Sequence, residues 1–414
     1  PLLLFAATEF AIYFTLNGGD QWLKLTGDVP TISFRDLAIQ KRENDLVGAS
    51  FGRGFFVFDD YTPLREMSMK DLEKNALLFP PRDAWWYIPR PVLDFNGKKG
   101  SQGNGYYVAP NPPFGAVITY YLKEDVKTSA ETRKEKEKSL NKANKDIGFA
   151  GWEAVEKEMR EKEPRIWLTI MNEENEVIRK IDAPAKKGFH RVAWDLRYPA
   201  KELIALDLPK KEEDDEQEPK GVMVTPGTYM VSLALENDGK IIPLHGPVSF
   251  EVKKLRDGAL EGSSTDQTVA FWKETESLTA EYQAINKKLQ ESIKKIEAMG
   301  LALERAQAAP GRLDSTYFAI RSSLMNLNTD LNGNEAKREV GEKDAPSVSD
   351  RLSHARTGTN YSTYGPTPAH RKSLGIAENK LQAIEVALKG IEGQIKDFQE
   401  ALGKADAPYI EGDY

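Results

Sequence analysis

The chain of 414 residues contains no cysteine, which excludes structural disulfides, thiolate metal sites and a cysteine nucleophile. Its charge has no strong bias, because 57 Lys and Arg stand against 64 Asp and Glu for a net charge of −7. Nucleic acid is therefore not expected as the main partner. No run approaches the ~20 consecutive apolar residues of a membrane-spanning helix, so no transmembrane segment is predicted. The sequence does not begin with methionine, and we expect a mature or cleaved product, or a fragment.

Two sequence signatures of catalysis are also missing: a glycine loop that cradles phosphates and a serine nucleophile elbow. The tripeptide Gly52-Arg53-Gly54 separates two strand-like stretches, and no helix follows it directly, so it is predicted to be a strand turn. The histidines lack the spacing of metal ligands. We therefore predict neither a cofactor nor a metal.

The opening residues are rich in short alternating apolar stretches. Turn residues separate these stretches, a pattern that indicates antiparallel β-strands. The predicted strands are Leu3–Thr8, Phe10–Leu16, Trp22–Leu25, Phe34–Gln40, Asp45–Phe51 and Gly54–Asp59. Sixty residues of this kind cannot bury their own faces if they belong to a radial array of four-stranded blades.

A turn motif lies between the second and third of these strands. Thr15, Asn17, Gly19 and Trp22 occupy the four fixed positions of a pattern that resembles the Asp-box, Ser/Thr-x-Asp-x-Gly-x-x-Trp, of bacterial neuraminidase-type repeats. Asn17 replaces the usual Asp, but an Asn side chain can also close such a turn. The resemblance implies a structural role at the periphery of a propeller blade and says almost nothing about activity.

The segment at 51–65 resembles the propeller exit of the sortilin-like BNR-repeat proteins that are often labelled bacterial glycosyl hydrolases. That resemblance implies a β-propeller followed by an immunoglobulin-like sandwich and a helical tail, in a protein that is secreted or belongs to the bacterial cell envelope (periplasm or cell surface). Residues 1–62 are then the last blades of an incomplete β-propeller. They begin at a second strand, finish one blade and supply three strands of another. An N-terminal propeller chain, or a fragment of the same protein, is the expected partner.

After a connector at 63–80, the pattern of strands resumes. Seven short stretches separated by turn signals are typical of a β-sandwich; they are Trp85–Ile88, Gly115–Leu122, Arg165–Met171, Val177–Ile181, Gly188–Asp195, Gly227–Leu235 and Val248–Lys253. The predicted immunoglobulin-like sandwich covers 81–255, with insertions at 123–163 and 199–220. The first insertion is Lys/Glu-rich and carries an apolar stripe at helical spacing, made of Phe149, Trp152, Val155 and Met159.

From Thr265 the apolar period changes to threes and fours, in stretches that start at Phe271, Leu313 and Leu374. This periodicity predicts a helical bundle at 265–405, with a long loop at 332–367. The fold class is thus mainly β plus α: terminal blades of a β-propeller, an immunoglobulin-like β-sandwich and a C-terminal antiparallel helical bundle.

Two sets of candidate site residues follow. Asp36, near the start of a predicted inner strand, is the weak candidate for a catalytic carboxylate, and its partner would have to lie in other blades. The long loop is the candidate docking site, with functional residues His354, Arg356, Tyr361, Tyr364, His370 and Arg371.

Three functions remain open on these residues. The first is a non-catalytic half that completes a propeller with another chain and docks a protein, including an envelope protein partner. The alternative is part of a glycoside hydrolase whose catalytic carboxylates lie in the missing blades. The third is glycan binding by a platform of Trp85, Trp86 and Tyr87, of which strand alternation buries at least one.

Overall fold

The computed structural model describes residues 2–89, 109, 111–204, 206, 219–309 and 311–411. They form a mixed α/β structure with several small antiparallel sheets, a curled sheet that resembles half of a barrel, and a C-terminal region of long helices. The chain divides into two compact units. The first comprises Pro1–Leu196 and Pro226–Leu255, and the second comprises Arg197–Thr225 and Arg256–Tyr414. The domain boundaries drawn from the sequence stay predictions.

The elements follow one another in a β-rich part and then a helical part. The strands are β1 Leu4–Ala7, β2 Ile12–Thr15, β3 Leu23–Lys24, β4 Phe34–Gln40, β5 Asp45–Ser50, β6 Phe55–Phe58, β7 Ala76–Leu78, β8 Ala84–Trp86, β9 Ala116–Leu122, β10 Arg165–Asn172, β11 Val177–Ala183, β12 Gly188–Trp194, β13 Arg197–Pro199, β14 Lys220–Met223, β15 Gly227–Asn237 and β16 Lys240–Lys254. The helices are α1 Thr62–Glu66, α2 Ser129–Lys142, α3 Trp152–Arg160, α4 Thr265–Leu303, α5 Asp314–Asn332, α6 Glu335–Glu339, α7 Val348–Asn360 and α8 Pro368–Lys404, with a short 3-10 helix at Met69–Glu73.

Two three-stranded antiparallel sheets open the first unit. They have the orders β1-β2-β3 and β4-β5-β6, and their six strands coincide with the six stretches predicted from the sequence. A connector follows, in which Ser68 precedes the 3-10 helix and donates its backbone N–H and its hydroxyl to Oδ2 of Asp71 at 2.8 and 2.7 Å. The insertion at 199–220 lies largely outside the described residues, and its last residue begins β14.

The remaining strands of the first unit form two facing sheets. A five-stranded sheet has the order β11-β10-β15-β16-β8, and a three-stranded sheet has the order β12-β9-β7. Trp194 of β12 is fully buried and packs edge-on against Tyr229 of β15, with ring centroids 5.2 Å apart. The same indole packs against Phe250 of β16 at 6.2 Å. An aromatic core therefore joins the two sheets.

The insertion at 123–163 is helical, but the predicted apolar stripe on α3 is not buried. Trp152 is 74% exposed, and Phe149 and Met159 are also exposed. The hairpin of α2 and α3 is held instead by polar contacts, because Arg133 donates to both carboxylate oxygens of Glu158 at 2.7 and 2.8 Å. Helical periodicity identified the helix correctly, but periodicity alone does not say which surface covers the apolar side.

The second unit consists mainly of helices. The two longest, α4 and α8, have 39 and 37 residues, and their buried positions repeat every three or four residues. Within this unit β14 packs against α4, and α5 and α7 pack against both long helices. Among the described residues, none of the helices combines the length and the apolar character needed to cross a lipid bilayer.

The prediction of a long loop at 332–367 is wrong over much of that range, because the segment contains α6 and the 13-residue helix α7. Ser347 and Asp350 form a capping box at the start of α7, and Val348, Leu352 and Ala355 are buried along one side of it. A short stripe of this kind, interrupted by glycine and threonine, gives a weak periodic signal in a sequence.

The direction of the helices also differs from a simple antiparallel bundle. Ser263, just before α4, donates its backbone N–H to the carbonyl of Tyr364, just before α8. At the other end, Gln307 after α4 donates its backbone N–H to the carbonyl of Ala405 after α8. Helices α4 and α8 therefore run parallel, while α5 and α7 run in the opposite direction between them.

Candidate interaction site

The two sheets that open the first unit are packed face to face. Gly48 of β5 lies against Ile12 of β2 and Phe34 of β4, so close that a Cβ at this position would be 3.1 and 3.0 Å from their side chains. Phe34 also packs edge-on against Phe56, with ring centroids 5.7 Å apart. The shared interface is thus an apolar layer in which one glycine permits close approach of the sheets.

The opposite face of the second sheet is apolar along β6 and the part of β5 beside it. Strand alternation and the register of the sheet place Ala38, Val47, Ala49, Phe55 and Val57 on this side, which we call the outer face; the same side carries Asp36, Gln40 and Asp45. Phe55 is 76% exposed and Val57 is 54% exposed. A sheet with one solvated face normally alternates apolar with polar residues. On this face Val47 and Ala49 of β5 and Phe55 and Val57 of β6 form a continuous apolar area, which is typical of a surface that another layer covers, whereas Asp36, Gln40 and Asp45 are polar.

Among the described residues, no strand other than β5 lies beside β6, so this edge of the second sheet is open. In the described part of the chain, β6 is the last strand of its sheet and pairs only with β5. Ser50 donates its backbone N–H to the carbonyl of Gly54, which places Phe56 and Phe58 in hydrogen-bonded pairs with β5. The backbone groups of Phe55 and Val57 therefore point away from β5, toward the open edge. Such an edge is a template for an added strand.

The first sheet has a similar second face. Strand alternation places Leu4, Ala6 and Tyr13 opposite the packed interface, and all three are half-buried. Beyond the ends of these strands, Leu2 and Phe10 are exposed. Both sheets of the stack therefore carry apolar side chains on the sides that face away from each other.

The Asp-box-like turn is closed by its own side chains. The Thr15 hydroxyl accepts the backbone N–H groups of Asn17 at 3.3 Å and Gly19 at 3.1 Å, and donates to Asn17 Oδ1 at 2.8 Å. Asn17 Oδ1 also accepts the N–H of Gln21 at 3.0 Å. Thr15 is fully buried, whereas Trp22 is 42% exposed. The bonds to Asn17 use only its carbonyl oxygen, which explains how Asn fills a position where Asp is usual.

A cluster of charged side chains holds the exit of the second sheet. Arg191 of β12 donates to the carbonyl of Asp60 at 2.6 Å and lies over the ring of Phe58. Asp60 has a positive φ of 46° and donates its N–H to Asp45 Oδ1 at 2.9 Å. Burial lowers the pKa of Arg191, and burial together with Asp45 raises the pKa of Asp59. These contacts fix the direction of the chain after β6.

Asp36, the predicted catalytic candidate, lies on β4. Its carboxylate is exposed and accepts the backbone N–H of Leu37 at 2.8 Å. A glycosidase needs two carboxylates across the scissile bond. Asp36 stays an isolated candidate whose partner the hypothesis places in other blades.

The residues of the predicted docking loop gather at the corner where α7 meets α8. The rings of His354 and His370 pack edge-on with centroids 5.0 Å apart, and Arg371 lies over Phe271 of α4. Tyr364 lies in the turn between α7 and α8, and its backbone carbonyl accepts the N–H of Ser263, two residues before α4. The structure thus brings the two histidines together and ties the corner to α4, while Arg356 and Tyr361 are exposed on the same segment.

The aromatic platform proposed for glycans is split by strand alternation. Trp86 is buried at 2% exposure, whereas Trp85 and Tyr87, on the opposite face, are half-exposed. Tyr87 packs edge-on against Phe114. Across the described ranges, no group of three or more His, Asp or Glu side chains could hold a metal ion.

No protein-family model matches this chain, and no curated protein matches it. The outer face, the open edge and the corner where α7 meets α8 are therefore the features that bear on its function. The outer face was not predicted as a site from the sequence. Its signal was present in Phe55-Phe56-Val57-Phe58, an unbroken apolar run that is typical of a strand buried on both faces.

Proposed function

We propose that this chain is the non-catalytic half of a propeller protein similar to the sortilin-like BNR family, and that residues 2–60 complete a β-propeller with strands from an N-terminal propeller chain or fragment. The observation that carries the proposal is the outer face with its open edge. Blades of a propeller pack against neighbours around a central axis. Two stacked sheets with apolar outer sides are what two adjacent blades present when their neighbours lie elsewhere.

The strand count supports this assignment. A blade has four strands, and each described sheet at the start of the chain has three. The Asp-box-like turn joins β2 to β3, so β1-β2-β3 correspond to the second, third and fourth strands of one blade. Strands β4-β5-β6 then correspond to the first three strands of the next, and the missing fourth strand belongs beside β6.

The rest of the chain suits a scaffold role. The two facing sheets joined by Trp194, Tyr229 and Phe250 support an immunoglobulin-like sandwich. The helical unit would present its α7–α8 corner to a protein partner, which an envelope or secreted location would supply. In the alternative hypothesis the same assembly is a glycoside hydrolase, with carboxylates from other blades facing Asp36 across the central channel.

Burial of the apolar side chains on the outer face is expected to supply the affinity for the other propeller chain. Complete burial of a large apolar side chain stabilises by about 1.5–3 kcal/mol. Phe55 and Val57 are already partly covered, so we expect about 2–4 kcal/mol from the two together. A Val57→Lys substitution loses about half of this and is therefore expected to weaken the association by about 5- to 30-fold.

The test is photocrosslinking in the native host with p-benzoylphenylalanine in place of Val57. The matched control is Val386 on α8, a valine that is 71% exposed. We expect position 57 to cross-link to a peptide with alternating apolar residues, identified by mass spectrometry as part of a propeller sequence. If position 57 cross-links no more than position 386, the outer face is a solvent-exposed surface and the proposal is wrong. Polysaccharide hydrolysis by the assembled protein, lost in Asp36→Asn, would favour the alternative hypothesis.

A further inference from the structure

The first turn of α8 is capped by a histidine. Thr367 is the N-cap residue, and its hydroxyl accepts the backbone N–H of His370 at 3.4 Å. In return, Thr367 donates its backbone N–H to Nδ1 of His370 at 3.2 Å. In most capping boxes a Glu or Gln fills this third position. A histidine can accept this bond only while Nδ1 carries no proton, which requires the neutral ring with its hydrogen on Nε2.

The surroundings of His370 oppose a positive charge on the ring. From α7, the imidazole of His354 packs against it. On α8 itself, the next two residues are the cations Arg371 and Lys372. The N-terminus of a helix carries a partial positive charge, which repels a cation in the first turn. Burial, and then the charge of His354, lower the pKa of His370.

Close packing holds the ring in this position. A Cβ at Gly358 of α7 would lie 2.4 Å from Nε2 of His370, so the ring rests directly on the backbone of α7. The ring therefore has little room to move aside when it gains a proton.

The cap of α8 is connected to the start of α4. Tyr364 accepts the backbone N–H of Ser263 at 2.9 Å. Gly365 has a positive φ of 81°, and a Cβ there would lie 2.6 Å from both Ser263 and Thr268. The turn at 361–367 is thus held between α8, which begins at its end, and the first residues of α4.

We propose that this corner is an acid-sensitive latch, in which protonation of His370 breaks the capping box and loosens the first turn of α8 together with the turn at 361–367. A histidine has an ordinary pKa of about 6.5. Because the pKa of His370 is lowered in the folded protein, the contribution of the cap to stability is complete above the ordinary pKa. It is lost progressively as the pH falls through the ordinary value toward the lowered one. The latch does not depend on the proposed propeller.

The experiment compares three forms of the full chain by hydrogen exchange of peptides that cover 361–375, in a pH series from 7.5 to 4, after correction for intrinsic exchange rates. His370→Gln keeps a side chain that can accept the Thr367 N–H but does not titrate, whereas His370→Ala has no acceptor at any pH. Exchange is expected to be about fivefold faster without the cap, which corresponds to about 1 kcal/mol. His190→Gln, in the first unit, is the control for a histidine outside the corner.

The wild-type chain should resemble His370→Gln at pH 7.5 and should change to the behaviour of His370→Ala once the pH falls below the lowered pKa of His370. His354→Gln should retain the cap and move the transition to higher pH, because it removes the neighbouring charge. The four histidines of the chain also permit assignment of the ring tautomer by NMR, which should show Nε2–H on His370 at pH 7.5. Wild-type protection that does not change with pH, or an equal loss of protection in His370→Gln, would overturn the latch.

Discussion

Substitutions of Asn17 test how the Asp-box-like turn is stabilised, because the Asn17 side chain bonds only through its carbonyl oxygen. That atom accepts two hydrogen bonds, from the Thr15 hydroxyl at 2.8 Å and from the Gln21 N–H at 3.0 Å. Asn17→Leu keeps the approximate shape of the side chain and removes both. A typical hydrogen bond contributes about 1 kcal/mol, and a buried hydroxyl that loses its acceptor costs about 1–3 kcal/mol. Because Thr15 is fully buried, we expect Asn17→Leu to destabilise the turn by about 2–4 kcal/mol.

Asn17→Asp should behave in the opposite way. A carboxylate accepts the same two bonds, and charge-assisted bonds are about twice as strong as neutral ones. The nearby Asp20 in the same turn offsets part of that gain by repulsion. We therefore expect a change between zero and about 1 kcal/mol of stabilisation at pH 7, lost as the pH falls below the ordinary Asp pKa of about 3.9.

The assay is urea-dependent hydrogen exchange of peptides that cover 12–25, because a global unfolding curve would average two units. Thr15→Val serves as a second variant, since it removes the same hydroxyl from the other side of the pair. The reasoning fails if Asn17→Leu exchanges like the wild type, or if Asn17→Asp is as destabilised as Asn17→Leu.

Three further predictions concern other parts of the chain. Gly390→Ala places a Cβ with nothing within 4 Å and should raise the stability of the helical unit by about 0.5–1 kcal/mol. Gly300→Ala should not, because its Cβ would lie 2.7 Å from the Tyr317 hydroxyl. Unfolding in urea followed by circular dichroism at 222 nm distinguishes the two variants. Asp59→Asn should raise the melting temperature at pH 8 and have little effect at pH 3, because a carboxyl with a raised pKa loses its favourable contribution as the pH rises through that pKa. Tyr282→Phe removes a 2.7 Å hydrogen bond to Asn332 between α4 and α5 and should cost about 1 kcal/mol in the same urea titration, a loss that would be absent if solvent replaced the bond.

Local patterns predicted most of the longer elements. Strand β4 was predicted at its observed bounds, Phe34–Gln40, because turn residues flank an alternating run. Helix α4 begins at Thr265, where the period of the apolar residues changes and Ser264 provides the cap. These features depend on residues that are close together in the chain, so they can be predicted from a single sequence.

Features that depend on distant contacts were missed. The short strands β7, β13 and β14 have three or four residues each, too few for a periodic signal, and they form by pairing with distant strands. The parallel arrangement of α4 and α8 depends on α7, which continues the direction of α5. The exposure of Trp152 on α3 likewise depends on what covers a helix, and apolar spacing does not contain that information.

The candidate sites show the same difference between local patterns and distant contacts. Thr15, Asn17 and Gly19 were predicted as a turn, and their hydrogen bonds form within five residues of chain. The contact between His354 and His370 required two helices to meet. The spacing of the two histidines in the sequence gives no indication of that contact.

The packing of the first unit explains how its outer face can stay exposed without loss of the fold. The core between the two opening sheets continues into the connector, because Leu64 and Met67 and, farther along, Leu77 and Tyr121 belong to the same buried cluster. A three-stranded sheet gains independent stability when it packs against further structure. The second sheet is thus held from its inner side and at its exit, where Arg191 bonds to the carbonyl after β6. An added strand or blade would then meet a preformed surface, and binding to a preformed surface avoids the cost of ordering it.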